Sequence, residues 1–135
     1  MTQEHDIRLA YISTLLDGGY TRLLEGTENP TIGYIVGGVT EPTTMYAEVD
    51  GSAYPDVNAH FKAFTKLWNK YAMQAPLYTD HDVHRLTGVG TWVHEGQIYF
   101  DIVQHFHGFD EATEQAKQRG EIAIYDCKNQ KDLLL

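Results

Sequence analysis

One cysteine, Cys127, stands in a chain of 135 residues, so no internal disulfide and no thiolate metal cluster can form. Within an apparent strand it reads as a small packing residue rather than a nucleophile. Serine occurs only at Ser13, in a helical stretch, and Ser52, in a turn. Neither sits in a nucleophile elbow, which argues against a triad hydrolase. The glycines at 33, 37 and 38 do not spell GxGxxG, and no phosphate-cradling order follows them. They read as a bulge or a close backbone approach. No apolar run nears membrane-spanning length, and no basic leader with an apolar core opens the sequence. Lysine and arginine number 10 against 19 aspartates and glutamates, a formal charge of −9. Without a basic patch there is no footprint for nucleic acid. These absences point to a reducing, cytoplasmic setting, with no membrane and no cofactor required.

What is present is a globular composition, 42% hydrophobic and 21% charged. The length suits a single domain over residues 1–135 with a core of its own. Residues 61–90 are net basic and the flanking stretches net acidic. One function for such acidity is mimicry of DNA phosphates, which would inhibit a DNA-binding protein. A mimic needs dense rows of carboxylates, and here they are mostly single residues separated by apolar ones. Solubility is the stronger reading of the charge.

The clearest local pattern is a hairpin. Glu95-Gly96 suits a two-residue turn, because Gly takes the positive φ that such loops need. That turn pairs His94 with Gln97, Val93 with Ile98, Trp92 with Tyr99, Thr91 with Phe100 and Val89 with Ile102. Side chains alternate along a strand, so Val89, Thr91, Val93, Ile98, Phe100, Ile102 and Phe106 share a core face. The other face carries Trp92, His94, Tyr99, Asp101, Val103, His105 and His107, a mixture suited to a half-wet surface or a partner. Cross-strand packing of Trp92 on Tyr99 accounts for part of it without any function.

Around the hairpin the elements alternate. An amphipathic helix between His5 and Asp17 turns Ile7, Ala10, Tyr11 and Leu15 to one side and stops at Gly18-Gly19. Thr21 to Glu25 adds a turn, and Ile32–Val39 and Met45–Val49 read as strands joined by a turn at Glu41-Pro42-Thr43. Pro55 suits the first position of a second helix. Its stripe runs through Val57, Phe61, Phe64, Trp68 and Tyr71, with Lys62, Lys66 and Lys70 as a solvated row elsewhere. Residues 75–87 read as a loop. Asp110 is the expected N-cap of a third helix that packs through Ala112 and Ala116 and ends at Gly120. Ile122 to Cys127 then returns as a strand, reached by a right-handed crossover. The order α-ββα-ββα-β predicts an α+β domain, a mixed and mainly antiparallel sheet with helices chiefly on one side. Met45–Val49 can be set beside Ile98–Ile102 as an internal ββα duplication.

Two chemistries follow from the residues themselves. His105 and His107, with Asp101 on the same strand face, form an HxH pattern that metal centres use, and Asp80, His81, Asp82 and His84 could add ligands. No HExxH and no spaced third histidine accompany it, so spacing alone carries that reading. The second is partner binding through Trp92, Tyr99, Val103 and His105. The closing Leu133-Leu134-Leu135 should dock, onto the chain's own sheet or across the two-fold axis of a homodimer.

The phrase HGFDEATEQAKQRGEIAIYDCKN, within residues 88–130, resembles the ends of small uncharacterised accessory proteins of tailed phages of actinobacteria. There a Trp-bearing hairpin precedes an acidic-start helix and a closing strand. The resemblance covers about a third of the chain and is structural rather than catalytic, so no active residue transfers. It implies an accessory protein in the host cytoplasm that binds a protein partner, a host or defence factor, without catalysis.

Overall fold

A computed structural model describes residues 4–23, 30–49, 53–79 and 86–135. Helix α1 spans Glu4–Asp17, α2 Val57–Gln74 and α3 Phe109–Gln118. The strands are β1 Gly19–Leu23, β2 Tyr34–Val36, β3 Thr43–Tyr46, β4 Thr87–His94, β5 Gln97–Phe106, β6 Ala123–Asp126 and β7 Lys131–Leu134. They form one curled sheet in the order β1-β4-β5-β2-β6-β7, with β3 also paired to β5. The fold is α+β as expected, and the sheet, expected to be mixed and mainly antiparallel, is antiparallel in every pairing among the described strands.

The β4–β5 hairpin has the register that its alternation predicts, His94 opposite Gln97 and Val89 opposite Ile102. Glu95 and Gly96 both take positive φ, 48° and 79°, as a type I′ turn requires. Val89, Thr91, Ile98, Phe100, Ile102 and Phe106 are buried, whereas Val93, next to the turn, is only half-buried. Onto this face α2 sets Phe64, Trp68 and Tyr71, and α1 sets Ile7, Ala10 and Tyr11. Packing of Phe64 and Tyr71 around Phe100 centres the core, with ring centroids at 5.0 and 6.4 Å. Helix α3 adds Ala112 and Ala116 against Val36, Phe106 and Ile124. Opposed residues of paired strands share a face, so all three helices lie on one side of the sheet.

Several expectations change. Of the turn expected over Thr21–Glu25, Leu24 and Glu25 lie outside the described residues, and residues 19–23 form an edge strand against β4. The carboxy-terminal tail adds β7, which pairs Leu133 with Ile124 on the chain's own sheet. Helix α2 is capped by Asp56, whose side chain accepts from the Ala59 N–H at 2.8 Å, so Val57 falls in the exposed first turn. In α1 Thr14 replaces Leu15 on the buried face, because 7, 10, 11 and 14 follow the helical repeat more closely. Helix α3 starts at Phe109 with Gly108 as N-cap, not Asp110. A short 3₁₀ helix, Ala75–Tyr78, opens the stretch that reads as a loop.

The first strand pair is not a hairpin. Both β2 and β3 run antiparallel to β5 along the same edge, β2 against Gln104–Phe106 and β3 against Gln97–Phe100. They are one strand, broken at residues 37–42. No duplication of the β4–β5 hairpin is present in this pairing.

Candidate functional site

The sheet face away from the helices has two halves that differ in cover. Near the hairpin turn, adjoining strands align Thr44, Tyr99, Trp92 and Gly19 in one row, and Tyr46, Gln97 and His94 in the next. Trp92 and Tyr99 stack, with ring centroids 4.9 Å apart and planes at 12°. Tyr99 is half-buried, while Trp92 and Tyr46 expose 37% and 58% of their surface. The ring of His94 lies 6.4 Å from that of Tyr99. These residues form an aromatic platform on a rigid sheet. Its outer strand is fixed from behind: His60, buried in α2, bonds the Tyr46 carbonyl through Nε2 at 2.8 Å and the Tyr11 hydroxyl through Nδ1 at 2.7 Å. A carbonyl only accepts, so Nε2 carries a proton and, in the neutral ring, Tyr11 donates to Nδ1. Sequence reasoning missed His60, since a histidine beside an aromatic stripe carries no distinctive signal.

Val103 and His105 do not join the platform; they are 6% and 4% exposed. For Val103 the alternating glycines of β4 explain this. Gly88 and Gly90 leave no side chains on this face, and Val103 fills the space: a Cβ on Gly90 would lie 2.6 Å from its Cγ1. Leu23, Ile35, Val103 and Cys127 then pack as a small cluster, with Leu86 and Tyr125 beside it. Cys127 is indeed a packing residue, and burial pushes its thiol up to about 11. The His105 ring lies against residues 32–33 and donates from Nε2 to the Ile32 carbonyl at 2.8 Å. Burial holds its pKa below the usual histidine value. Of the four residues expected to form a partner surface, Trp92 is exposed and Tyr99 half-buried, whereas Val103 and His105 are interior.

The expected metal set is not assembled either. His105 and His107 meet edge to face at 4.9 Å, but Asp101 turns toward the strand break. Among the described residues no three His, Cys, Asp or Glu side chains are placed to hold a metal ion. Asp80, His81, Asp82 and His84 lie outside the described residues.

Asp101 is the chemically unusual group. It is 1% exposed, its Oδ2 accepts from the Gly38 N–H at 2.7 Å, and the Ile102 backbone N–H also acts on the carboxyl. Glu121 converges on the same point: a Cβ on Gly37 would meet Asp101 Oδ2 at 2.5 Å and Glu121 Oε1 at 2.9 Å. Arg119 donates to the Gly37 carbonyl at 3.2 Å and to the Gln104 side chain. Burial, aided by the Glu121 charge, pushes Asp101 up to about 7 against the pull of Gly38 and Arg119. Glu121 is raised as well, again by burial. A carboxyl this enclosed can hold a proton near neutrality, yet offers no surface to a substrate. Glu121 and Arg119 bracket Gly120 in sequence and give no hint there of closing over Asp101.

Comparison with family models, curated proteins and solved structures finds no match.

Proposed function

We propose that this chain is a binding protein without catalysis, and that the aromatic platform of Tyr46, Trp92, His94 and Tyr99 receives a protein partner. The observation that carries the reading is the position of the Trp92–Tyr99 stack. Three helices cover the opposite face and a side-chain cluster fills the other half of this one, which leaves the aromatic rows open. Tryptophan and tyrosine supply large contact area at low entropy cost and recur at interface hot spots. The resemblance of residues 88–130 to phage accessory proteins supports the same class, with a host or defence factor as partner. No helix among the described residues is long and apolar enough to cross a membrane.

Paired capture from a host-cell lysate tests this, with wild type and Trp92→Ala side by side. A partner held by wild type and lost by at least ~10-fold in the variant is expected, since interface tryptophans often cost 2 kcal/mol or more on truncation. Equal recovery of every captured protein by both would refute the platform.

A further inference from the structure

Among the described residues, the segments that border the platform carry exposed charges of one sign. Strands β3, β4 and β5 contain no lysine or arginine, and Arg22 of β1 alternates onto the helix side with Tyr20, away from Gly19 and the platform. Exposed carboxylates stand at its margins on three different segments. Glu95 is in the turn beside His94, with Oε1 3.6 Å from Nε2. Glu48 follows Tyr46 by two residues on a stretch that the Ala47 N–H ties to the Gly96 carbonyl at 2.9 Å. Asp17 closes α1 immediately before Gly18-Gly19, where Gly18 accepts from the Val93 N–H at 2.9 Å and Gly19 lies opposite Trp92. The exposed lysines Lys62, Lys66 and Lys70 stand along the middle of α2, which covers the opposite face, whereas Asp17 is the last residue of α1, where the chain passes into β1 beside Trp92.

We infer that the platform's partner presents a basic segment, with an arginine or lysine seated on the Trp92–Tyr99 rings and neighbouring cations facing Asp17, Glu48 and Glu95. This deepens the binding reading and rests on it. An aromatic face attracts a cation through its quadrupole, tryptophan most strongly, and arginine also stacks flat on such rings. Flanking carboxylates draw the same segment in and repel acidic ones, so charge sets both approach and choice of partner. A neutral apolar partner would cover the rings but leave three carboxylates idle at the rim. An acidic partner would meet repulsion on three sides.

The test uses short peptides of one design, glycine alternating with arginine, lysine, glutamine or glutamate, titrated into the full chain. Trp92 fluorescence reports binding, because Trp68 is fully buried. Expected are quenching by the arginine peptide, weaker quenching by the lysine peptide, and binding at least ~10-fold weaker for the glutamine and glutamate peptides. Added salt should weaken the basic peptides selectively. Asp17→Asn, Glu48→Gln and Glu95→Gln combined should lower arginine-peptide affinity about tenfold while leaving the melting temperature and Trp92 stacking unchanged. Trp92→Phe should keep part of the affinity, measured by calorimetry, and Trp92→Ala should lose more. Charge-independent binding, or a triple variant as tight as wild type, would overturn the inference. If no peptide binds while lysate capture stays Trp92-dependent, the partner's chemistry is wrong and the platform stands. If capture is also Trp92-independent, both fail.

Discussion

Asp101 holds its proton to about pH 7 in the fold, against 3.8 for an ordinary aspartate. The unfolded chain releases that proton first, so stability falls as pH rises from about 4 through 7 and stays low above it. Asn at this position keeps an acceptor for the Gly38 N–H and never ionises. Asp101→Asn is therefore expected to melt higher than wild type at pH 8, with the gap closing toward pH 4. Parallel melting curves across that range would show that the carboxyl is ionised in the fold. His105 acts in the other direction. Its folded pKa is lowered, so the unfolded state takes up the proton first and stability is lost as pH falls below about 6.5. His105→Gln should flatten the acid limb. Phe100, fully buried between Phe64 and Tyr71, should cost ~3–5 kcal/mol as Phe100→Ala in denaturant unfolding.

The hairpin gives an element-scale prediction. Gly96 has φ 79° and open space around the Cβ position, so Gly96→Ala changes backbone strain alone. It should cost ~1–2 kcal/mol with no change in unfolding cooperativity. This hairpin was fully legible in sequence because its turn and its two-residue alternation are local. Residues 34–46 were not. Glycines and Pro42 mark a break equally well in a hairpin and in a single interrupted strand, and only pairing with β5 decides between them. Strand β1 was hidden for the same reason: after Gly18-Gly19 its short polar segment becomes a strand through Thr91 and its neighbours. At the candidate site, Trp92 and Tyr99 could be read as outward-facing, but the burial of Val103 and His105 could not be read from β5 alone. The signal for Val103 lay in the facing strand, where Gly88 and Gly90 leave one face bare, and His105 is covered by residues 32–33, distant in sequence.

At the scale of the molecule, the tail seats itself on its own sheet. Leu133 packs beside Val36 and Ile124, and the Leu135 N–H bonds the Ile122 carbonyl at 2.9 Å. Deleting residues 133–135 should lower stability by about 1 kcal/mol, since Leu133 is only half-buried and full burial of a leucine is worth about 1.5–3 kcal/mol; an unchanged melting temperature would show the tail to be idle. Leu134 remains 83% exposed on this edge strand.

The place of β2 has a consequence for how the chain reaches this structure. Residues 34–36 lie between β5 and β6, two strands that follow them in sequence and are joined through α3. Until residue 123 and beyond are available, β2 can pair on one edge only, and its other edge is a template for any extended segment nearby. Its native contacts span long separations and form late. A chain ended before Ala123 is therefore expected to scatter light as aggregates where the full chain refolds clear, which makes the last strands guardians of the sheet's middle as well as its border.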